Sequence, residues 1–104
     1  MAKKSLEPLT ETMFYVLLAL DKESMYGTEI AGYIKALTRG RVVMGPGTLY
    51  TILSNFQKEK LIQKTGSEGR RIIYRITEKG KAVYEEEILR LTRCLADVKK
   101  ESKV

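Results

Sequence analysis

The sequence predicts a mainly α-helical fold with one small β-hairpin and a long C-terminal helix. Three observations support this fold class. Apolar residues recur at helical spacing in three segments of the first 60 residues. Two short stretches that favour β-strands then flank a glycine-containing turn, and apolar residues at heptad spacing occupy the end of the chain. With 104 residues, the chain has the length of a single domain.

The first three helices are predicted from their apolar faces and from the residues suited to begin them. Helix one is placed at 10–22, because Thr10 is a good N-cap and the following residues are apolar nearly all round the helix. Helix two covers 27–38, where the apolar residues form one stripe. Helix three covers 46–60, because Pro46 fits the first position of a helix.

A hairpin and a final helix are predicted for the second half of the chain. Residues 61–65 and 70–76 are the two strands, and 66–69 is the turn between them. Thr77 is suited to cap a helix that we place at 78–100. Three helices followed by a hairpin is the order of elements in a winged helix-turn-helix, whose second and third helices form the DNA-reading pair.

The last helix carries an apolar seam at heptad spacing. The seam consists of Tyr84, Ile88, Leu91, Leu95 and Val98. This helix measures roughly 30 Å at 1.5 Å per residue, so a domain this small cannot bury the whole seam in its own core. We therefore assign residues 1–77 to a winged helix-turn-helix DNA-binding unit, and residues 78–104 to a dimerisation helix of the same compact unit.

The basic residues are concentrated in the middle of the chain. The net charge is +6, and residues 35–75 alone hold nine basic and two acidic residues, a net charge of +7. Such a segment is typical of a face that binds a polyanion such as nucleic acid. A solvated basic surface without a partner is the alternative interpretation.

Helix three has a polar face of unusual composition. Leu49, Ile52, Leu53 and Phe56 share one side of its helical wheel. The other side and its flanks carry the candidate DNA-binding residues Thr48, Tyr50, Thr51, Ser54, Asn55 and Lys58. Short hydroxyl and amide side chains can enter the major groove and bind phosphates or base edges. A merely solvated face favours Glu, Lys and Gln instead, which are better helix formers than Ser, Thr and Asn.

Two arginines follow the hairpin turn. Arg70 and Arg71 lie beside a Gly-Ser-Glu-Gly sequence, where their guanidinium groups could contact a phosphate or enter a minor groove. A charged tip that protects an edge strand is the alternative. Beside a recognition helix, we favour contact with DNA.

Several classes of chemistry are excluded by what the sequence lacks. It has no histidine and one cysteine, so Cys/His zinc sites and catalysis by a histidine base are excluded. The usual phosphate-binding glycine loops are also missing, and we expect no enzyme activity, no metal site and no cofactor. The acids at 85–87 are consecutive in a helix and point in three directions, so we expect a solvated surface there.

A cytoplasmic location is expected from two observations. The lone cysteine, Cys94, cannot form an internal disulfide, which fits a reducing compartment. The longest apolar run, residues 13–20, is too short to span a membrane and does not have the position or cleavage site of a signal peptide.

Four sequence motifs resemble the PadR family of bacterial transcriptional regulators. The motifs are YGTEI at 26–30, GPGTLY at 45–50, GRRIIYRIT at 69–77 and the EKGK that follows. The resemblance extends from about residue 9 to residue 95. It implies a winged helix that binds an inverted-repeat operator as a dimer made by the C-terminal helix.

The resemblance also implies roles for individual residues. Thr48, Leu49 and Tyr50 match the start of the family's recognition helix. Arg70, Arg71 and Tyr74 match its wing, and Tyr26 and Gly27 match the opening of helix two, which adds Tyr26 to the candidate DNA-binding residues. Many members repress genes for phenolic-acid detoxification or drug efflux and are released by small aromatic effectors. The chain resembles the short subgroup, but it lacks the tryptophan that some short members use to stack planar drugs.

The resulting hypothesis is a homodimeric DNA-binding repressor, released by a small aromatic or hydrophobic effector. The alternative is a winged-helix protein-interaction module that binds no DNA. That alternative predicts an apolar or acidic outer face on helix three, and this helix has neither.

Overall fold

The structure, a computed structural model, describes residues 8–102 of the chain. Its helices are α1 (Glu11–Lys22), α2 (Gly27–Leu37), α3 (Pro46–Lys58) and α4 (Glu78–Ser102). Its strands are β1 (Met25–Tyr26), β2 (Ile62–Glu68) and β3 (Arg71–Ile76). The prediction of a mainly α-helical fold with a β-hairpin and a long last helix is confirmed. Within the described range, no helix combines the length and apolar character that crossing a membrane requires.

The helix ends follow from the capping residues seen in the sequence. Thr10 caps α1, because its Oγ1 accepts a hydrogen bond of 3.1 Å from the backbone N–H of Met13. Pro46 opens α3, where its missing N–H costs no helical hydrogen bond. Thr77 caps α4, and its Oγ1 accepts from the N–H of Gly80 at 3.0 Å.

The hairpin turn differs from the prediction. Residues 66–69 were expected to form it, but β2 continues through Gly66 to Glu68, and the turn is Gly69-Arg70. A β-bulge between Lys64 and Gly66 lets the strand continue, so a glycine that looked like part of a turn lies inside the ladder. Gly69 has a φ of +63°, the backbone conformation that a two-residue hairpin loop requires.

A third strand was not predicted. β1 pairs antiparallel with β3, with Met25 opposite Tyr74 and Tyr26 opposite Ile73, so the sheet order is β1-β3-β2. Two residues are too few to show the alternation that marks a strand in a sequence. This short strand connects α1 to α2 and holds the start of α2 against the wing, the name used below for the hairpin Ile62–Ile76.

One core joins all four helices and the sheet. Its largest fully buried side chains are Phe56, Leu17, Ile30, Ile34, Leu53 and Val16. α4 begins in close contact with this body, since a Cβ on Gly80 would lie 2.1 Å from the Leu61 carbonyl oxygen. The Thr77 hydroxyl also donates to the carbonyl oxygens of Lys60 and Leu61, and it thereby fixes the start of α4.

The acidic run on α4 is only partly solvated. Glu85 and Glu86 are exposed, as expected. Glu87 is buried, with 6% of its surface exposed, so the expectation of a solvated surface is wrong there. It forms an ion pair of 2.5 Å with Arg90. The reason is that α4 packs on α1, and Glu87 lies on the covered side of the helix.

Candidate nucleic-acid interface

The helical wheel of α3 describes its two faces correctly. Leu49, Ile52, Leu53 and Phe56 are buried in the core. The candidate DNA-binding residues Thr48, Tyr50, Thr51, Ser54, Asn55 and Lys58 are all exposed. Four buried apolar side chains therefore hold α3 on the body of the domain, while a row of hydroxyl, amide and ammonium groups faces outward.

Tyr50 differs from its neighbours on α3 because it leans toward α2. Half of its surface is exposed (52%). A Cβ added at Gly27 would lie 3.1 Å from the Tyr50 hydroxyl, so that hydroxyl lies over the first turn of α2. The glycine leaves room for this close approach.

The connection between α2 and α3 is tied to α1 by an arginine. Arg41 donates from Nη1 to the Glu11 carboxylate at 2.6 Å and from Nη2 to the Tyr15 hydroxyl at 3.0 Å. The hydrogen bond to Glu11 raises the pKa of the Arg41 guanidinium. One of the nine basic residues of the central segment is therefore paired within the domain, and no pattern in the sequence indicates this pairing.

The two wing arginines lie in different surroundings. Arg70 is an exposed turn residue, and within residues 8–102 its side chain has no hydrogen-bond or ion-pair partner. Arg71 donates from Nη1 to the Tyr26 hydroxyl at 3.0 Å, and its Cζ lies 4.7 Å from the centre of the Tyr26 ring. Sequence reasoning assigned both arginines the same role and could not detect this contact, because it depends on the unpredicted strand β1.

The candidate residues thus form two groups. Tyr26, Tyr50 and Arg71 gather where α2, α3 and the wing meet. Thr51, Ser54, Asn55 and Lys58 continue along the outer face of α3. Behind the first group lies Tyr74, whose pKa is raised by burial and, to a smaller extent, by Tyr50.

The seam of α4 is exposed over most of its length. Ile88, Leu91, Leu95 and Val98 each expose between 40% and 60% of their surface. Tyr84 differs from the other four seam residues, since it is half-buried and its ring centre lies 5.5 Å from that of Phe14. The first seam residue therefore belongs to the chain's own core, and the remaining four stand free on the single chain.

The comparison with protein-family models identifies the class of protein. The model of the transcriptional regulator PadR-like family matches residues 16–86. No relative was found among curated protein sequences.

Solved structures of bacterial regulators have the same fold. A transcriptional regulator from Clostridium thermocellum is 28% identical with a TM-score of 0.77, over 86% of this chain and 87% of the other. A PadR-like regulator from Bacillus cereus is 26% identical with a TM-score of 0.73, over 88% and 91%. The PcaV regulator of Streptomyces coelicolor, solved with its natural ligand, is 20% identical with a TM-score of 0.74, over 91% and 64%.

Proposed function

Because the chain belongs to the PadR-like family of transcriptional regulators, we propose that it is a cytoplasmic repressor. In this proposal it binds an inverted-repeat operator as a homodimer and is released by a small aromatic or hydrophobic effector. The observation that carries the proposal is the outer face of α3, where exposed short polar side chains stand on a helix held by four buried apolar residues.

The side chains of this face suit the major groove. Thr51, Ser54 and Asn55 are short and exposed, so the helix backbone can approach the base edges closely. Asn55 has the amide geometry that pairs with adenine through two hydrogen bonds. Lys58, one turn further along and also exposed, suits a phosphate.

The dimer is supported by the exposed part of the seam. Ile88, Leu91, Leu95 and Val98 form an apolar stripe that a single chain leaves in water. A symmetric pair of such helices would cover both stripes, and symmetric dimers are the commonest oligomers. Two recognition helices related by that symmetry would reach two half-sites about 34 Å apart, or a multiple of this distance.

The third part of the proposal is release by an effector. It rests on the family and on the fold shared with PcaV, which was solved with its natural ligand. The aromatic residues Phe14 and Tyr84 pack together where α1 meets α4, beside the proposed dimer stripe. A planar apolar molecule bound there would act on the helix that we assign to dimerisation.

The proposal is tested by titrating a fluorescently labelled fragment of the protein's own promoter at several salt concentrations. Because the central segment carries a charge of +7, we expect the affinity to fall by orders of magnitude between about 50 and 200 mM salt. Asn55→Ala should reduce the preference for the promoter over random DNA, since it removes a base contact. Lys81→Ala, an exposed lysine on α4 outside the central segment, is the matched control and should bind like the wild type. A flat salt response, or equal affinity for random DNA, would contradict the proposal.

A further inference from the structure

We propose that Tyr26 and Arg71 form a strut that fixes the wing relative to α3, so that of the two adjacent arginines Arg71 is a positioning residue and Arg70 contacts phosphate. This inference rests on the proposed DNA-binding function. It assigns different roles to two adjacent arginines that the sequence treats alike.

The sheet register explains why the two side chains meet. Tyr26 lies directly opposite Ile73 in the β1–β3 ladder. Arg71 is two residues before Ile73, so it lies on the same face of β3 and is the diagonal neighbour of Tyr26. Long and aromatic side chains reach each other across such a diagonal.

The contact engages both ends of the tyrosine side chain. The guanidinium carbon lies 4.7 Å from the ring centre, within the range of a cation–π contact, and Nη1 donates to the hydroxyl at 3.0 Å. Glu68 is the residue directly across the hairpin from Arg71, yet these two described residues form no ion pair. The guanidinium is therefore directed toward β1 and the start of α2 rather than toward the nearest carboxylate.

Tyr26 is joined to the helix-turn-helix by its own backbone. Its N–H donates to the Glu29 carboxylate at 3.1 Å, which anchors the first turn of α2. The next residue, Gly27, lies beneath the Tyr50 hydroxyl at the start of α3. Two consecutive residues thus connect the wing to both helices of the DNA-reading pair. The buried base of the wing packs in the same core as α3, so breaking the strut would loosen the exposed part of the wing relative to α3 and leave its base in place.

Arg70 has the features expected of the phosphate contact. It is exposed in the turn at the tip of the wing, and no hydrogen bond or ion pair occupies its side chain among the described residues. All its guanidinium donors are available to an incoming phosphate. Arg71, by comparison, would have to give up its contact with Tyr26 to bind one.

The test measures how steeply the logarithm of the DNA affinity falls with the logarithm of the salt concentration. This salt slope is compared on the promoter fragment for variants of the three residues. Arg70→Ala should make the salt slope shallower by about 0.9 for each phosphate that is no longer neutralised. Because a dimer has two wings, the expected total is about 2. Arg71→Ala and Tyr26→Leu should each weaken binding by about tenfold without changing the slope, and the double variant should be no weaker than either one. Arg71→Lys keeps the charge but not the planar group, so we expect it to bind as weakly as Arg71→Ala.

Three results would overturn the strut. They are a salt slope that Arg71→Ala makes as shallow as Arg70→Ala does, wild-type affinity in Arg71→Lys, or affinity decreases that add in the double variant.

If the wild type binds no DNA, the proposed function fails, and urea unfolding of the same variants tests the strut separately. In that measurement the two single variants should lower the urea midpoint of unfolding equally, and the double variant should lower it no further. Midpoint decreases that add in the double variant would exclude the strut. Circular dichroism confirms that each variant is folded.

Discussion

The first half of α4, residues 78–87, is covered by its own chain, whereas residues 88–102 extend beyond it. In the first half Gly80 and Glu87 are buried, and Tyr84 packs on Phe14. In the second half the four remaining seam residues are at least 40% exposed. The heptad pattern runs from Tyr84 in the first half into the second half without a break, so the pattern alone does not tell which surface covers it.

The change from covered to uncovered helix occurs at the ion pair between Glu87 and Arg90. The Glu87 side chain is 7% exposed and that of Arg90 is 43% exposed, so the pair spans the edge of the body. A buried carboxylate needs such a partner, since an unpaired charge away from water is strongly destabilising. One amphipathic helix can thus serve two interfaces in series, first with its own core and then, in the proposed dimer, with a second copy.

The largest effect is expected from charges placed in the uncovered half. Leu91→Glu combined with Leu95→Glu removes two apolar side chains per chain, or four per dimer, from the proposed dimer interface, each worth about 1.5–3 kcal/mol when buried. We expect the variant to be a folded monomer by light scattering and circular dichroism. Its affinity for an inverted-repeat operator should fall by roughly a hundredfold or more, because each chain then binds one half-site alone.

Leu89→Glu is the matched control for that variant. Leu89 is also about half exposed, but it lies outside the seam. The control should remain dimeric and bind DNA like the wild type. A Leu91→Glu, Leu95→Glu variant that stays dimeric, or a monomer with full operator affinity, would show that the second half of α4 has another role.

A smaller but still large effect is expected in the covered half, from Gly80→Ala. The new Cβ would lie 2.1 Å from the Leu61 carbonyl oxygen and 2.8 Å from Ile76 Cγ1, and backbone atoms cannot easily move away. We expect the free energy of unfolding to fall by about 3 kcal/mol, as in an overpacked core. Urea unfolding measures this decrease.

Gly32→Ala is the control for the glycine substitution. Gly32 is an exposed residue within α2, and a Cβ there would meet nothing within 4 Å. Alanine should therefore raise the free energy of unfolding by about 0.5–1 kcal/mol, since glycine is a poor helix former. Equal effects at the two positions would mean that α4 does not approach Leu61 as closely as the structure indicates.

The sequence predicted those parts of the fold that depend on local periodicity. The helices followed from apolar spacing and from caps such as Thr10, and the buried and exposed faces of α3 followed from its wheel. β1 was missed because two residues have no period, and the turn was misplaced because Gly66 lies in a bulge.

The missed parts of the candidate site share one physical cause. The contact between Arg71 and Tyr26, the pairing of Arg41 with Glu11 and the burial of Glu87 all depend on which elements meet in space. The first two join residues 45 and 30 positions apart in the chain. Spacing along the sequence reports the faces of single elements, and it carries no signal for such contacts.

The smallest predicted effect concerns Tyr84 and alkaline pH. Burial raises the pKa of Tyr84, and the charge of Asp21 and the nearby Tyr33 raise it further. The folded pKa therefore lies above the unfolded value of about 10, so the stability linked to the protonated hydroxyl is fully present below pH 10 and is lost as the pH rises through the folded pKa. Tyr84→Phe should reduce the alkaline loss of unfolding free energy, measured by urea unfolding between about pH 8 and pH 11. Burial also raises the pKa of Tyr74, and this residue is still present in the Tyr84→Phe variant, so part of the alkaline loss of unfolding free energy should remain.

Because Phe14 of the same chain covers Tyr84, the effect of Tyr84→Phe should be the same in the Leu91→Glu, Leu95→Glu monomer as in the wild-type background. An effect that disappears in the monomer would mean that a second copy, rather than α1, buries this tyrosine.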